Sequence, residues 1–579
     1  MCRKIRVIKQ RNNKTKAVHP MNRTKTLVRR KFIEFFIPTV LTTMANSIAM
    51  LVDATIVNIT LGNDAFASVN LMSPIVQIYV AISILFGLSS ATIIAKIKGE
   101  NKSDTQKSNG IFTQAFMMLA VISAVLMVVQ LALADRIVAL LTPDPTLQQL
   151  TKSYYTPMIL GTPITLLMIS GVYLIRTEGR PQFASAIILV SNLVNLIFDF
   201  VLISGFRLEI TGASIATVLG NLVGLVMFLS HFRRKDCTIH FSLKSMGSFR
   251  HFFTGLKELL SYGISGTLGA VLIMVKMLFL NGLVQQFGGS TALVAFSVVS
   301  LCQIFDSAFV AGACQTMVAL SSMLYGEGDS DGIKFSFNQA LRLLLISTIS
   351  IMLILLAFAQ PIVTAYGMKE AEAMSIGMNA LRICVLSLPG DALTFIMLYH
   401  YISVGRNRWS TVISVLNGAL VIPAGIVLSK AFNLTGVWMA IPAAQYLTLC
   451  CVFVKLLLDK SKRPLFGEKA GSHEICSFSL NGTAPEQEKS HLNHLTEEIS
   501  GHFTALPEEM LMNMLDYLRI LCDAPLEKGR KTQDTDVRIC EDAVIIKNMG
   551  ANVCENDFKN AAYSKALGIN VIRAEFPAS

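Results

Sequence analysis

Apolar residues along this chain come in blocks, not in alternation. Twelve blocks of about 20 residues lie near 33–57, 69–95, 111–134, 156–176, 183–205, 212–232, 258–285, 291–319, 338–360, 380–404, 410–429 and 434–458. That length crosses a hydrocarbon core as a helix. The alternating ten-residue segments of a membrane barrel do not occur. The pattern predicts an all-α membrane protein of about twelve transmembrane helices.

The polar punctuation between blocks repeats. GENKSD (99–104) follows span 2, and GEGDSD (326–331) follows span 8. RTEGRP (176–181) follows span 4 and leads into a helix containing Asn192 and Asn195; VGRNRW (404–409) follows span 10 and leads to Asn417. Spans 6 and 12 open with ITGASIAT (210–217) and LTGVWMAI (434–441). Each half holds an even number of spans, so the two copies share one orientation about an axis along the membrane normal. Secondary transporters with parallel repeats are built this way, with the substrate site between the halves. The expected organisation is a basic arm (1–31), an N-lobe (32–235), an inter-lobe linker (236–257), a C-lobe (258–460), a short linker (461–473) and a soluble α+β domain (474–579).

Composition agrees, with 53% hydrophobic and 15% charged residues and a mean hydropathy of +0.55. The net charge of +12 would suit nucleic acid, but its distribution does not. The first 31 residues carry twelve Lys/Arg and no acid. Alternate loops and span flanks carry sixteen basic residues on one side and six on the other. The positive-inside rule then places both termini in the cytoplasm, with the arm as a topology anchor at the cell membrane. No nucleic-acid partner is expected. Eleven cysteines, none with C-x-x-C spacing and none in an outside loop, read as reduced structural thiols.

The first span enters at Pro38, reaches Val52-Asp53-Ala54-Thr55, and continues through Leu61-Gly62, Ala65-Phe66-Ala67 and Pro74. Together with the R-x-x-G-x-P turn and the TGASIAT opening, this resembles the multidrug and toxic compound extrusion (MATE) family over roughly residues 32–458. Asn58 departs from that pattern, where a glycine is more usual before the first outside loop.

A charge inside a span costs roughly 2.5–3.5 kcal/mol on insertion scales, so each one needs a reason. Asp53, Asp199, Asp306, Asp391 and Lys276 lie well inside the blocks. Asn195 precedes Asp199 by one helical turn, and Thr217 starts the next span. Two carboxylates, an amide and a hydroxyl are hard oxygen donors that suit Na⁺ or hold protons. The resemblance implies the same four residues, Asp53, Asn195, Asp199 and Thr217, as an N-lobe cation site. It also implies a C-lobe role for Asp391, but span 7 offers Lys276 where an acid would be expected. A structural ion pair of Lys276 with Asp391 or Asp306 is the expectation there, with the ammonium within about 4 Å of one carboxylate.

The tail after Gly467 holds 18 of the 38 acidic residues. It reads as a strand at 476–480, a helix pair over 486–522 broken near Pro507, and strands at 537–547 and 569–576. EEMLMNMLDY (508–517), NMG (548–550) and YSKALGINVI (563–572) resemble pieces of the ATPase domain of histidine kinases and anti-sigma factors. Glu509 and Asn513 match that family's helix, and Gly550 its D-x-G motif, but Asn548 replaces the aspartate and the lid has no room. A degenerate domain kept for stability or for a protein partner is the plainer reading.

The expected function is antiport of H⁺ or Na⁺ against amphipathic, often cationic, small molecules, with no enzymatic activity and no cofactor beyond the coupling ion. No Walker A motif is present, which argues against primary ATP-driven transport. A lipid-linked oligosaccharide flippase of related fold is one alternative; a membrane-tethered regulator acting through the tail is another.

Overall fold

A computed structural model describes residues 25–575 except 101–104, 143, 235–236, 247–248, 367, 460–473, 484–507, 528–532, 541–542 and 559–560. The chain divides into two compact units, a helical bundle and the tail.

Ten helices in the bundle are long and apolar enough to cross a membrane. The pair Pro145–Leu160 and Thr162–Thr177, bent by 60°, makes an eleventh crossing. The stretch Asn407–Leu457 is 51 residues long, about 77 Å as helix, more than twice a hydrocarbon core. It breaks into two helices at Asn433, whose φ of 52 is outside the helical range, and each part is long enough for one crossing. Among the described residues there are thus twelve, as the apolar blocks predict.

Several spans are broken where the sequence punctuates them. Span 4 bends at Gly161 between Pro157 and Pro163, where two consecutive helices lose backbone donors. Span 10 passes through a 3₁₀ turn, Val385–Ser387, just before Pro389-Gly390. Span 2 widens into a π-helical turn at Ile84–Leu88. The repeated turns share a backbone device: Gly179 in RTEGRP and Gly405 in VGRNRW both sit at positive φ, 80 and 69, which glycine alone adopts freely.

Each lobe has its own apolar core. Val57, Tyr79, Leu119, Tyr155 and Ile210 are among the residues centring one in the N-lobe; Leu280, Val299, Leu381 and Trp438 belong to the one in the C-lobe. At the basic end of the bundle the lobes meet along spans 2 and 8. A Cβ on Gly99 would fall 2.0 Å from the Met323 carbonyl oxygen, and one on Gly326 would fall 2.1 Å from that of Lys96. The glycine opening each repeated GE motif is therefore what lets the two backbones cross. Beside the crossing, the Lys96 ammonium lies 5.6 Å from the Tyr325 ring centroid, and Arg176 of span 4 donates to Gln315 of span 8.

The tail carries a five-stranded sheet in the order β1-β2-β3-β5-β4. Its strands are β1 Glu474–Thr483, β2 Gln533–Cys540, β3 Ala543–Met549, β4 Ala562–Ala566 and β5 Ile569–Glu575. The single strand expected at 537–547 is instead the antiparallel pair β2 and β3, because the acidic dipeptide Glu541-Asp542 interrupts the apolar run. The helix Glu508–Asp523 packs Met514, Leu515, Leu518 and Leu521 against Val537, Ile546 and Ile572 of the sheet. The first helix of the expected pair lies outside the described residues.

Candidate functional site

The N-lobe brings together all four of its predicted residues. Asp53 comes from span 1, Asn195 and Asp199 from span 5, and Thr217 from span 6. Asp199 is fully buried. It is the last α-helical residue before the π-helical segment Phe200–Gly205, a helix irregularity common at functional sites. The Asp53 and Asp199 carboxyl groups approach each other to hydrogen-bonding distance. Oδ1 of Asp53 and both oxygens of Asp199 meet no protein donor. Two carboxylates tolerate such an approach only with a proton or a cation between them.

Asn195 and Thr217 complete the cluster. The Asn195 Nδ2 donates to Thr217 Oγ1 at 3.3 Å, and the Thr217 hydroxyl donates to the Ala213 carbonyl at 3.1 Å. Spans 5 and 6 come this close because Gly220 has no side chain. A Cβ there would sit 2.5 Å from the Ser191 carbonyl oxygen and 3.1 Å from Asn195 Cβ. Gly220→Val is accordingly expected to push span 6 outward and part Asn195 from Thr217. The overpacking should cost about 1–3 kcal/mol. Thermal unfolding checks this: the midpoint should fall by several degrees, and an unchanged midpoint would show that the helices have room to spare.

Tyr154, on span 4, was not a sequence candidate. Its buried hydroxyl faces Thr217 and both carboxylates, a third oxygen donor type beside the amide and the acids. Nothing marks it in sequence, because it precedes the fourth apolar block (156–176) and carries no charge. Further polar pairs flank the cluster: Asn192 donates to Asn46 at 3.2 Å, and Asn221 donates to Thr165 at 3.0 Å.

The C-lobe expectation is corrected. Lys276 forms no ion pair with Asp306 or Asp391 among the described residues. Asp306 Oδ1 instead accepts from the Thr348 hydroxyl at 2.7 Å, which satisfies a buried carboxyl oxygen without a cation. Lys276 acts on Asp391 only through space, and Asp391 on Asp306 likewise. Sequence gives the depth of a residue in a span but not the side of the helix it leaves from, and here Thr348 was the nearer partner.

In the tail, Asn548 uses its whole side-chain amide within the sheet. Its Nδ2 donates to Thr535 Oγ1 at 2.8 Å, and its Oδ1 accepts the Ala551 N–H at 3.0 Å. That closes the turn at Gly550, whose φ is 118. Asn513 is half-buried on the helix, and the Glu509 side chain lies outside the described residues. YSKALGINVI, with left-handed Leu567 and Gly568 at its centre, is the tight hairpin joining β4 to β5.

A second polar cluster, again missed in sequence, lies at the basic end of the N-lobe in the RTEGRP turn. The Glu178 side chain is 2% exposed and pairs with Lys98. Its Oε1 also accepts the Thr238 hydroxyl at 2.6 Å, and its Oε2 accepts the Thr238 N–H at 2.9 Å. Burial alone would raise the Glu178 pKa. The Lys98 charge beside it, with the Thr238 hydrogen bonds, instead holds it well below the usual carboxylate range. The group is ionised throughout the physiological range.

The MatE family model matches residues 38–201 and 267–427. The multidrug export protein MepA of Staphylococcus haemolyticus is 23% identical over 413 residues, 71% of this chain and 88% of its own. An outward-facing multidrug resistance MATE family transporter of the MOP superfamily superposes with a TM-score of 0.69 at 17% identity. It covers 77% of this chain and 99% of that one. A Vibrio cholerae MATE transporter superposes with a TM-score of 0.70 at 18% identity, covering 76% and 99%.

Proposed function

The chain belongs to the MatE family, and from that premise we propose that it exports small amphipathic, often cationic, molecules in exchange for H⁺ or Na⁺. Multidrug efflux is the activity of its export relatives, and a multi-pass bundle of two lobes suits it. The coupling step rests on one observation: the half-buried Asp53 and buried Asp199 carboxyls face each other with three oxygens lacking a donor. Loaded with one proton or Na⁺, the pair drops from two negative charges to one, its repulsion is relieved and the lobe closes around it. Empty, the pair repels and draws in either another cation or a cationic substrate. Asn195, Thr217 and Tyr154 supply the remaining oxygen donors.

Energetics bound the exchange. One proton entering as one monovalent organic cation leaves moves no net charge, so a one-unit pH difference supplies about 1.4 kcal/mol, near tenfold accumulation. Two cations per substrate would add roughly 2.3 kcal/mol per 100 mV, and two carboxylates have room for that stoichiometry.

The reading is tested by competition. Purified protein should bind a fluorescent cationic dye more weakly as Na⁺ is added or pH is lowered, because antiport requires the two ligands to exclude one another. Dye affinity indifferent to both would sink the reading.

The orientation proposed from the basic loops has its own check. In a background lacking reactive native thiols, Asn63→Cys should react with an impermeant thiol reagent from outside intact cells. Ser103→Cys should react only after the membrane is opened. The reverse pattern would invert the topology.

A further inference from the structure

Glu178, His231 and Cys237 converge at the basic end of the N-lobe, from the end of span 4, the end of span 6 and the start of the inter-lobe linker. Glu178 Oε2 lies 3.9 Å from His231 Nε2 and 3.9 Å from Cys237 Sγ. One ligand atom from each residue lies within 4.8 Å of the other two. All three side chains are buried, His231 to 1% exposure and Cys237 to 6%. The decisive feature is the imidazole. Neither His231 nitrogen has a hydrogen-bond partner, although the ring is held between Phe183 and Phe232, with centroids 6.2 and 5.9 Å away. A buried polar atom left without a hydrogen bond is costly, so an imidazole that makes none and faces a carboxylate at 3.9 Å and a thiol calls for an occupant.

We propose that Glu178, His231 and Cys237 form a binding site for a thiophilic divalent cation of the zinc class. A thiolate, an imidazole and a carboxylate are the mixed donor set that zinc accepts and that Mg²⁺ and Ca²⁺ do not favour. Metal–ligand bonds of about 2.0–2.3 Å place tetrahedral ligands roughly 3.2–3.7 Å apart, so the three side chains need to draw in by up to about 1.5 Å. The surroundings are those of a ligating carboxylate. The Thr238 N–H on Oε2, with the Thr238 hydroxyl and Lys98 on Oε1, fixes the Glu178 carboxylate and leaves an Oε2 lone pair toward His231 and Cys237. Water would take the fourth position. Bound metal would tie the start of the inter-lobe linker to the ends of two spans, and so shorten the covalent tether between the lobes.

The test uses the full-length chain in detergent, stripped with chelator and titrated with Co²⁺, then with Zn²⁺ in a thermal melt. The proposal expects a saturable thiolate-to-Co²⁺ charge-transfer band at one equivalent and a raised melting midpoint with Zn²⁺. Cys237→Ser should lose the band. His231→Ala keeps all eleven cysteines and should weaken binding by about tenfold or more. Asp53→Asn should bind metal as the unaltered chain does. No band, or an equal band and equal midpoint shift in His231→Ala, would overturn the site, the latter by placing the metal on other thiols. If Cys237→Ser fails to accumulate, His231→Ala alone decides.

Discussion

Asp199→Asn is expected to abolish export while leaving the amount of folded protein in the membrane unchanged. Asparagine keeps the shape of the side chain and removes its ionisable group, so the buried pocket keeps its packing. What disappears is the capacity of the Asp53–Asp199 pair to take up and release a cation. Export of a cationic dye should fall to the level of cells lacking the transporter, and Asp53→Asn should do the same. The thermal midpoint separates this from a folding defect. Two facing carboxylates with unsatisfied oxygens strain the unloaded state, so removing one charge should leave the midpoint unchanged or raise it. A midpoint lowered in step with lost export would assign the pair a structural role.

Gly99→Leu should be nearly as damaging by a different route. The basic ends of spans 2 and 8 cross through Gly99 and Gly326, where any Cβ would lie about 2 Å from a carbonyl oxygen of the other helix. Backbone carbonyls held in helices cannot rotate aside, so leucine must separate the spans. Closure at the basic end is then lost, and alternating access stops with that end open. Dye export should fall at least tenfold, while dye binding to purified protein persists and a cysteine at Gln315 becomes reactive toward thiol reagents from the basic side. Retained export with an unreactive Gln315→Cys would show that the crossing is not a gate. Gly326→Leu should reproduce the effect from the C-lobe.

The parts of this protein legible in sequence are those set by period and punctuation. Helix-length apolar blocks gave the crossings, and the repeated GE, G-R and TG turns marked the internal repeat. Asp53, Asn195, Asp199 and Thr217 were visible because a charge inside an apolar block is costly and draws notice. Tyr154 carries no charge and lies just before the fourth apolar block, so nothing drew notice to it, though it stands in the same cluster. The Lys276 pairing failed because depth along a span says nothing of azimuth, and Thr348 satisfied Asp306 instead. Gly220 reads as any small residue in a membrane helix; only the 2.5 Å approach to the Ser191 carbonyl explains it. Glu178 and Cys237 lie 59 residues apart, so no short motif joins them, and the tertiary fold alone brings Glu178 to His231 and Cys237.

The central claim is that a cation bound at the Asp53–Asp199 pair drives export. Proteoliposomes loaded with a cationic dye and held under an imposed Na⁺ or pH gradient measure this most directly. The account predicts dye movement against its own gradient, accompanied by H⁺ or Na⁺ moving the opposite way, and neither flux in Asp199→Asn. Uphill dye movement that persists in Asp199→Asn, or that proceeds with no counter-movement of either cation, would contradict it.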